Sequence, residues 1–335
     1  MSEFGDLFWQ AYLVNFLFWA GLAQGAVVFA VVLDITRARW GWRYVQIARS
    51  FAGFLPVSVV LFLIMLLGRR HLFPWIEQPI PEKAAYLNVP FLAVRDLLGL
   101  SVLAALSWIA LSRMKNARTG GRSGASPWSV TLVIAFMTVY SYLAFDLIMS
   151  LEPYWYSTLL GAHHAVSSFY LGIAGLCLVG CMRPEVPRDD RRNLCQLMFG
   201  MALFWVSLLW SQYIVIWYGD MPEETRFVYL RFYSMPWTAV TLIVLATAFV
   251  LPFFMLMPRR AKLIGIVPAL ASLCVMAGLL LERYVLTVPS LSPDRLVVGW
   301  IHLLVTAAFA AMFLASYKFS LRRARPIEQA LSQNI

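Results

Sequence analysis

Apolar residues along this chain come in nine long runs separated by short polar stretches, each near the roughly 20 residues a bilayer demands. The runs cover about 8–33, 46–67, 89–112, 128–150, 158–181, 194–217, 235–257, 263–283 and 296–318. The fold class this predicts is all-α: a polytopic membrane protein of about nine transmembrane helices. Inner connectors are short and polar, as in Thr119-Gly120-Gly121-Arg122-Ser123-Gly124. The stretches 68–88 and 218–234 are longer, rich in proline, aromatic and acidic residues, and predict loops folded over a membrane surface. Glu152, Asp220, Glu223 and Glu224 lie in such segments and are candidates to face a partner. No loop is long enough to bury a core of its own, so the chain reads as one integral membrane domain.

Composition agrees with the pattern. Hydrophobic residues make up 61% of the 335 and charged residues 13%, with mean hydropathy +0.72, far from the soluble norm of roughly half apolar and a quarter charged. The 13 Trp and 14 Tyr suit interfacial belts. A net charge of +10 would be compatible with nucleic acid, but the basic residues come in clusters between apolar runs. Of 27 Lys and Arg, 19 fall in alternate connectors and in the C-terminal tail, and 8 fall on the opposite side. The asymmetry predicts an N-terminus outside and a C-terminus in the cytoplasm, a parity that nine crossings satisfy. Met1 to Gln10 are acidic and aromatic, so no removable signal peptide is expected. Cys177, Cys181, Cys195 and Cys274 form no CxxC pair or haem-attachment site and are expected to be buried thiols.

Polar positions inside the runs change the picture most. Pro153 fixes a turn between the fourth and fifth runs. Asp146 lies about seven residues before that turn, and His163 and His164 about six residues into the next helix. At about 1.5 Å per residue the three share one depth near the outer face. Arg95 and Asp96, Gln212 and His302 sit at comparable depth, Tyr142 belongs to the same hairpin, and Glu282-Arg283 lie nearer the outer end of the eighth run. Intramembrane ionisable groups are functional candidates by default. A carboxylate and a neutral imidazole at one depth suit binding or deprotonating a quinol. Adjacent residues cannot face the same way, so one of His163 and His164 is expected to meet lipid headgroups or a partner. Arg95 and Asp96 are equally compatible with tying the third helix to its neighbours. A haem between histidines is the rival, weakened by there being four histidines with His71 in a loop. No metal-ligand spacing or nucleotide fingerprint occurs. A secondary transporter and a pure scaffold are the other readings; Pro56 and Pro252 lie inside runs, without visible inverted repeats.

Several stretches are similar to one family. They are Asn15-Phe16-Leu17-Phe18-Trp19 through Gln24-Gly25, Pro74-Trp75, and Tyr86-Leu87-Asn88-Val89-Pro90-Phe91. Then come Phe145-Asp146 through Met149-Ser150-Leu151-Glu152-Pro153 with Trp155-Tyr156-Ser157-Thr158, and Ser211-Gln212-Tyr213 through Trp217-Tyr218-Gly219-Asp220-Met221-Pro222-Glu223-Glu224-Thr225. Together they resemble NrfD/PsrC-type membrane subunits, nearest the ActF-type subunits of alternative complex III, a quinol:electron-acceptor oxidoreductase. The resemblance implies two side-by-side four-helix bundles, here about 8–150 and 158–283, with a ninth helix at 296–318 peripheral and a cytoplasmic tail at 319–335. It implies a bacterial inner membrane and a complex with an NrfD-like paralogue, an iron–sulfur subunit and multihaem cytochrome c subunits. Iron–sulfur clusters and c-type haems belong to those partners, and the paralogue holds the main quinol site. For this chain a menaquinol or ubiquinol site, or a proton path, is what the resemblance leaves. Family members usually have ten helices, and against that pattern this chain lacks the first.

Overall fold

The structure, a computed structural model, describes residues 3–38, 40–119, 126–293, 296 and 299–332. The side chains of 3, 115–119, 223 and 323–332 are outside that description, as are residues 120–124 of the glycine-rich connector. Among the described residues there is no strand. Nine helices are long and apolar enough to cross a membrane, and an eleven-residue tenth is not. In chain order they are α1 Phe4–Ile35, α2 Trp42–Leu72, α3 Val89–Met114, α4 Pro127–Leu151, α5 Thr158–Cys181, α6 Arg188–Gly219, α7 Pro222–Phe232, α8 Trp237–Leu256, α9 Ile266–Leu291 and α10 Trp300–Arg322. This is an all-α, multi-pass architecture.

Two sequence expectations change here. The stretch 218–234 is not an open loop: Asp220 takes a left-handed conformation (φ 45°) that ends α6, and α7 starts at once with Pro222 in its first turn. Proline is at home there because that N–H has no helical partner in any case. The eighth run does not stop at Arg283. The helix continues through Tyr284-Val285-Leu286-Thr287-Val288 to Leu291 with Pro289 inside it, which places Glu282 and Arg283 more than two turns within the helix rather than near its end.

α1 and α5 form the centre. Both are buried on nearly every side, and they touch each other along much of their length. α1 also packs on α2, α4, α9 and α10, and α5 on α4, α6 and α9. The α1–α5 seam depends on missing side chains. A Cβ on Gly25 would lie 2.0 Å from the Ser168 carbonyl oxygen, and one on Gly172 would lie 2.2 Å from the Ala26 nitrogen. Small residues that let backbones meet are the usual basis of helix association in lipid. α10 lies against α1 and α2, with Phe313 edge-on to Phe51.

Two of the prolines inside helices, Pro252 and Pro289, are answered in the same way. Pro252 has no N–H for the carbonyl of Ala248, four residues back, within the wide π turn Ala246–Val250. The Tyr170 hydroxyl of α5 donates to that oxygen at 2.9 Å. Pro289 likewise leaves Val285 without its donor, and Arg231 Nε of α7 donates to Val285 O at 2.9 Å.

Candidate functional site

Most of the buried charge among the described residues gathers at the end of the molecule that carries α7, where two separate clusters form. In the first, Arg95 of α3 grips Asp146 of α4 with both arms: Nε to Oδ2 at 2.7 Å and Nη2 to Oδ1 at 2.6 Å. Asp146 is fully buried. The same guanidinium lies over the rings of Tyr86 and Phe91, 4.1 and 4.3 Å from their centroids. Asp96, one residue on, is also buried and lies against Asp146, with its Oδ2 unpartnered. Two carboxyl groups and one guanidinium make a cluster that is electroneutral when it holds one proton. Tyr86 sits in the segment before α3; burial, and next the Asp146 carboxylate, push its phenol up, so it stays protonated.

The second cluster joins α5, α6 and α9. Glu282 Oε1 lies 2.7 Å from His163 Nε2 and accepts from Trp205 Nε1 at 2.8 Å, while its Oε2 accepts from Ser167 Oγ at 2.5 Å. Arg283 turns the other way. It donates to His164 Nδ1 at 2.8 Å, to Ser167 Oγ at 2.9 Å and to Ser168 Oγ at 3.2 Å, and its Nη1 lies 3.3 Å from Glu282 Oε2. The ring of His164 stacks on Tyr140. A carboxylate with four such neighbours is held fast, and a guanidinium beside it settles the local charge. His163 Nδ1 is buried with no partner. A neutral His163 that donates Nε2–H to Glu282 keeps Nδ1 as a lone-pair acceptor.

His163 and Glu282 form part of the wall of a pocket with about 600 Å³ of atom-free space, its open mouth included. The remaining walls come from α6, α7, α8 and α9 and are largely apolar, among them Trp205, Leu209, Phe227, Val244 and Leu245, with Gln212, Tyr213, Thr241 and Arg231 as further polar members. That composition, apolar with a few placed polar groups, is what small-molecule sites share. Arg231 is 2% exposed. It donates to the carbonyls of Val285, Leu286 and Phe227 and to Ser290 Oγ, at 2.8–3.0 Å. Its Cζ lies 3.4 Å from the ring centroid of Phe227, which in turn stacks on Trp155. Burial pushes this guanidinium down to about 9 and the Glu152 carboxylate opposes the shift, so it remains charged at neutral pH.

Measured against the sequence, the candidates divide. Asp146, Arg95 and Asp96 come together on α3 and α4. His163, His164 and the unselected pair Glu282-Arg283 come together on α5 and α9, so Asp146 does not share a site with the imidazoles. Neither histidine faces lipid: both are 1% exposed, because α5 has helices around it. Gln212 lines the pocket, whereas Tyr142 points outward at 43% exposure. His302 is half-buried with both ring nitrogens unpartnered, edge-on to Tyr284. Among the loop acids, Asp220 is exposed, Glu152 and Glu224 are half-buried, and the Glu223 side chain lies outside the described residues. Arg231 was missed altogether; the available signal was Pro289, whose missing N–H demands a donor from elsewhere. Compared with models of known protein families and with curated proteins, the chain matches none.

Proposed function

We propose that this chain is a membrane subunit of a quinol-oxidising respiratory complex of the alternative complex III type, similar to its ActF-type subunits, and that the α5–α9 pocket faces the quinol. The observation that carries this reading is the His163–Glu282 pair in the wall of an apolar pocket, with a free acceptor nitrogen on His163. A quinol hydroxyl donates to His163 Nδ1, and the neighbouring carboxylate stabilises the imidazolium that forms when the proton moves. Oxidation releases two protons and two electrons. One proton goes to His163 and the other to water at the pocket mouth; the two electrons need an acceptor outside this chain, which iron–sulfur or c-type haem groups of partner subunits would supply. The Arg95–Asp146–Asp96 cluster, able to hold one proton, is the proton-handling element of the same face. In this reading the membrane is a bacterial inner membrane, with the pocket on its periplasmic side.

The test uses the complex purified after mild detergent extraction. Glu282→Gln keeps the size of the side chain and one acceptor oxygen for Trp205 and His163, puts an amide NH2 where Ser167 donates, and cannot stabilise an imidazolium. Quinol oxidation is expected to fall about a hundred-fold or more, with the same subunits on size-exclusion chromatography. Turnover at the wild-type level would remove the pocket from the reaction. A chain that copurifies with no redox subunit would remove it from the complex.

A further inference from the structure

We infer that the pocket grips its ligand at two ends, Arg231 binding a second oxygen that lies across the ring from the one facing His163. The inference rests on the proposed quinol reading and adds to it a specificity: a ring with oxygens in para positions.

Three features of Arg231 lead there. Its four described hydrogen bonds use Nε, both hydrogens of Nη2 and one of Nη1, and leave one Nη1 hydrogen unassigned. All four acceptors are neutral, and among the described residues no carboxylate hydrogen-bonds this charge, which is 2% exposed and has Glu152 only as a more distant anionic neighbour. Bridging the gap left by Pro289 requires one neutral donor, and a hydroxyl does that job at Pro252. A buried guanidinium is far more than the backbone requires, and a buried cation without an anionic contact favours a ligand carrying an electron-rich oxygen.

Spacing supplies the second end. Arg231 is fastened to the carbonyls of Val285 and Leu286, three and four residues beyond Glu282 on α9. Along a helix that is about 4.5–6 Å, which sets Arg231 and the His163–Glu282 pair at different levels of one pocket. Trp205, Leu209, Phe227, Val244 and Leu245 provide apolar walls for a ring. One end of the pocket accepts a proton, and the other donates a charge-assisted hydrogen bond.

The experiment changes the ligand first, so that it does not depend on a variant folding. The full chain in detergent is titrated with a decyl para-hydroquinone kept reduced, and with decylphenol, which has the same tail and one hydroxyl. The hydroquinone is expected to bind about ten-fold or more tightly, and Arg231→Gln is expected to shrink that ratio to about two-fold or less while phenol binding holds. Equal affinity of the two ligands for the wild-type chain, or an undiminished ratio in Arg231→Gln, would overturn the inference and leave the quinol reading standing. Binding of neither ligand would overturn both. If Arg231→Gln fails to fold, the ratio on the wild-type chain decides alone.

Discussion

Arg95 and Asp146 show what one buried pair does on its own. A bidentate ion pair in lipid repays its desolvation through geometry, and losing one partner strands the other's charge. With Asp96 still beside Arg95 to answer its charge, Asp146→Asn is expected to destabilise the chain by about 1–3 kcal/mol, read as a lower midpoint in a denaturant titration of the detergent-solubilised protein. Arg95→Met with Asp146→Leu should recover most of that loss, since no charge is then left unpaired. A double variant as weak as Asp146→Asn would mean the pair does more than balance charge. The sequence exposed the costly residues but not their companions. Depth along a helix is one coordinate, and it put Asp146 level with His163 and His164. The face of the helix is the other, and it sends Asp146 toward α3 and His163 toward α6 and α9. Glu282-Arg283 were misplaced for a related reason: two charges end an apolar run on paper, whereas two satisfied charges do not end a helix.

At the scale of elements, backbone groups left free by special residues decide how helices meet. The α1–α5 seam was legible in principle, because Gly21 and Gly25 are four apart on α1 and Ser168 and Gly172 four apart on α5, each pair on one helix face. The apolar pattern hid it, since glycines within a hydrophobic run look like interruptions. Gly25→Ala puts its Cβ against backbone, which cannot swing aside as a side chain does. It is expected to cost about 1–3 kcal/mol and to loosen the Ser168 contact with Arg283, because the seam positions both. Gly200→Ala on α6 is the control: its Cβ meets nothing within 4 Å, so a gain of up to about 1 kcal/mol from helix propensity is expected. Unfolding titrations of both variants check the contrast. Similar effects at the two glycines would show that the seam is not set by close approach. α7 was harder to foresee, because eleven residues between two spans, with Pro222 at their head, look alike whether they coil or loop over the surface.

For the whole molecule the deciding quantity is an odd number of crossings. α7 is too short to span, so among the described residues nine helices are long and apolar enough to cross, an odd number that would put the two ends of the chain on opposite sides. The arrangement of ends follows: Asp6 at the start of α1 meets His71 at the end of α2, and Arg183 after α5 meets Tyr317 near the end of α10. The pocket, Arg231 and both charged clusters belong to the Asp6 end, and the basic connectors belong to the other. Basic connectors stay in the cytoplasm because carrying Lys and Arg across works against the insertion machinery and the membrane potential. In the orientation proposed above, the pocket end is outside. Two exposed positions make this measurable: Tyr218 at the α6–α7 end, 85% exposed, and Met182 beyond α5, 71% exposed. With Tyr218→Cys, a membrane-impermeant thiol reagent is expected to label intact cells. With Met182→Cys it should label only after the membrane is opened, and the wild-type chain, whose cysteines are buried or half-buried, gives the background. The reverse pattern would place the pocket on the cytoplasmic side and would overturn the periplasmic quinol site proposed above.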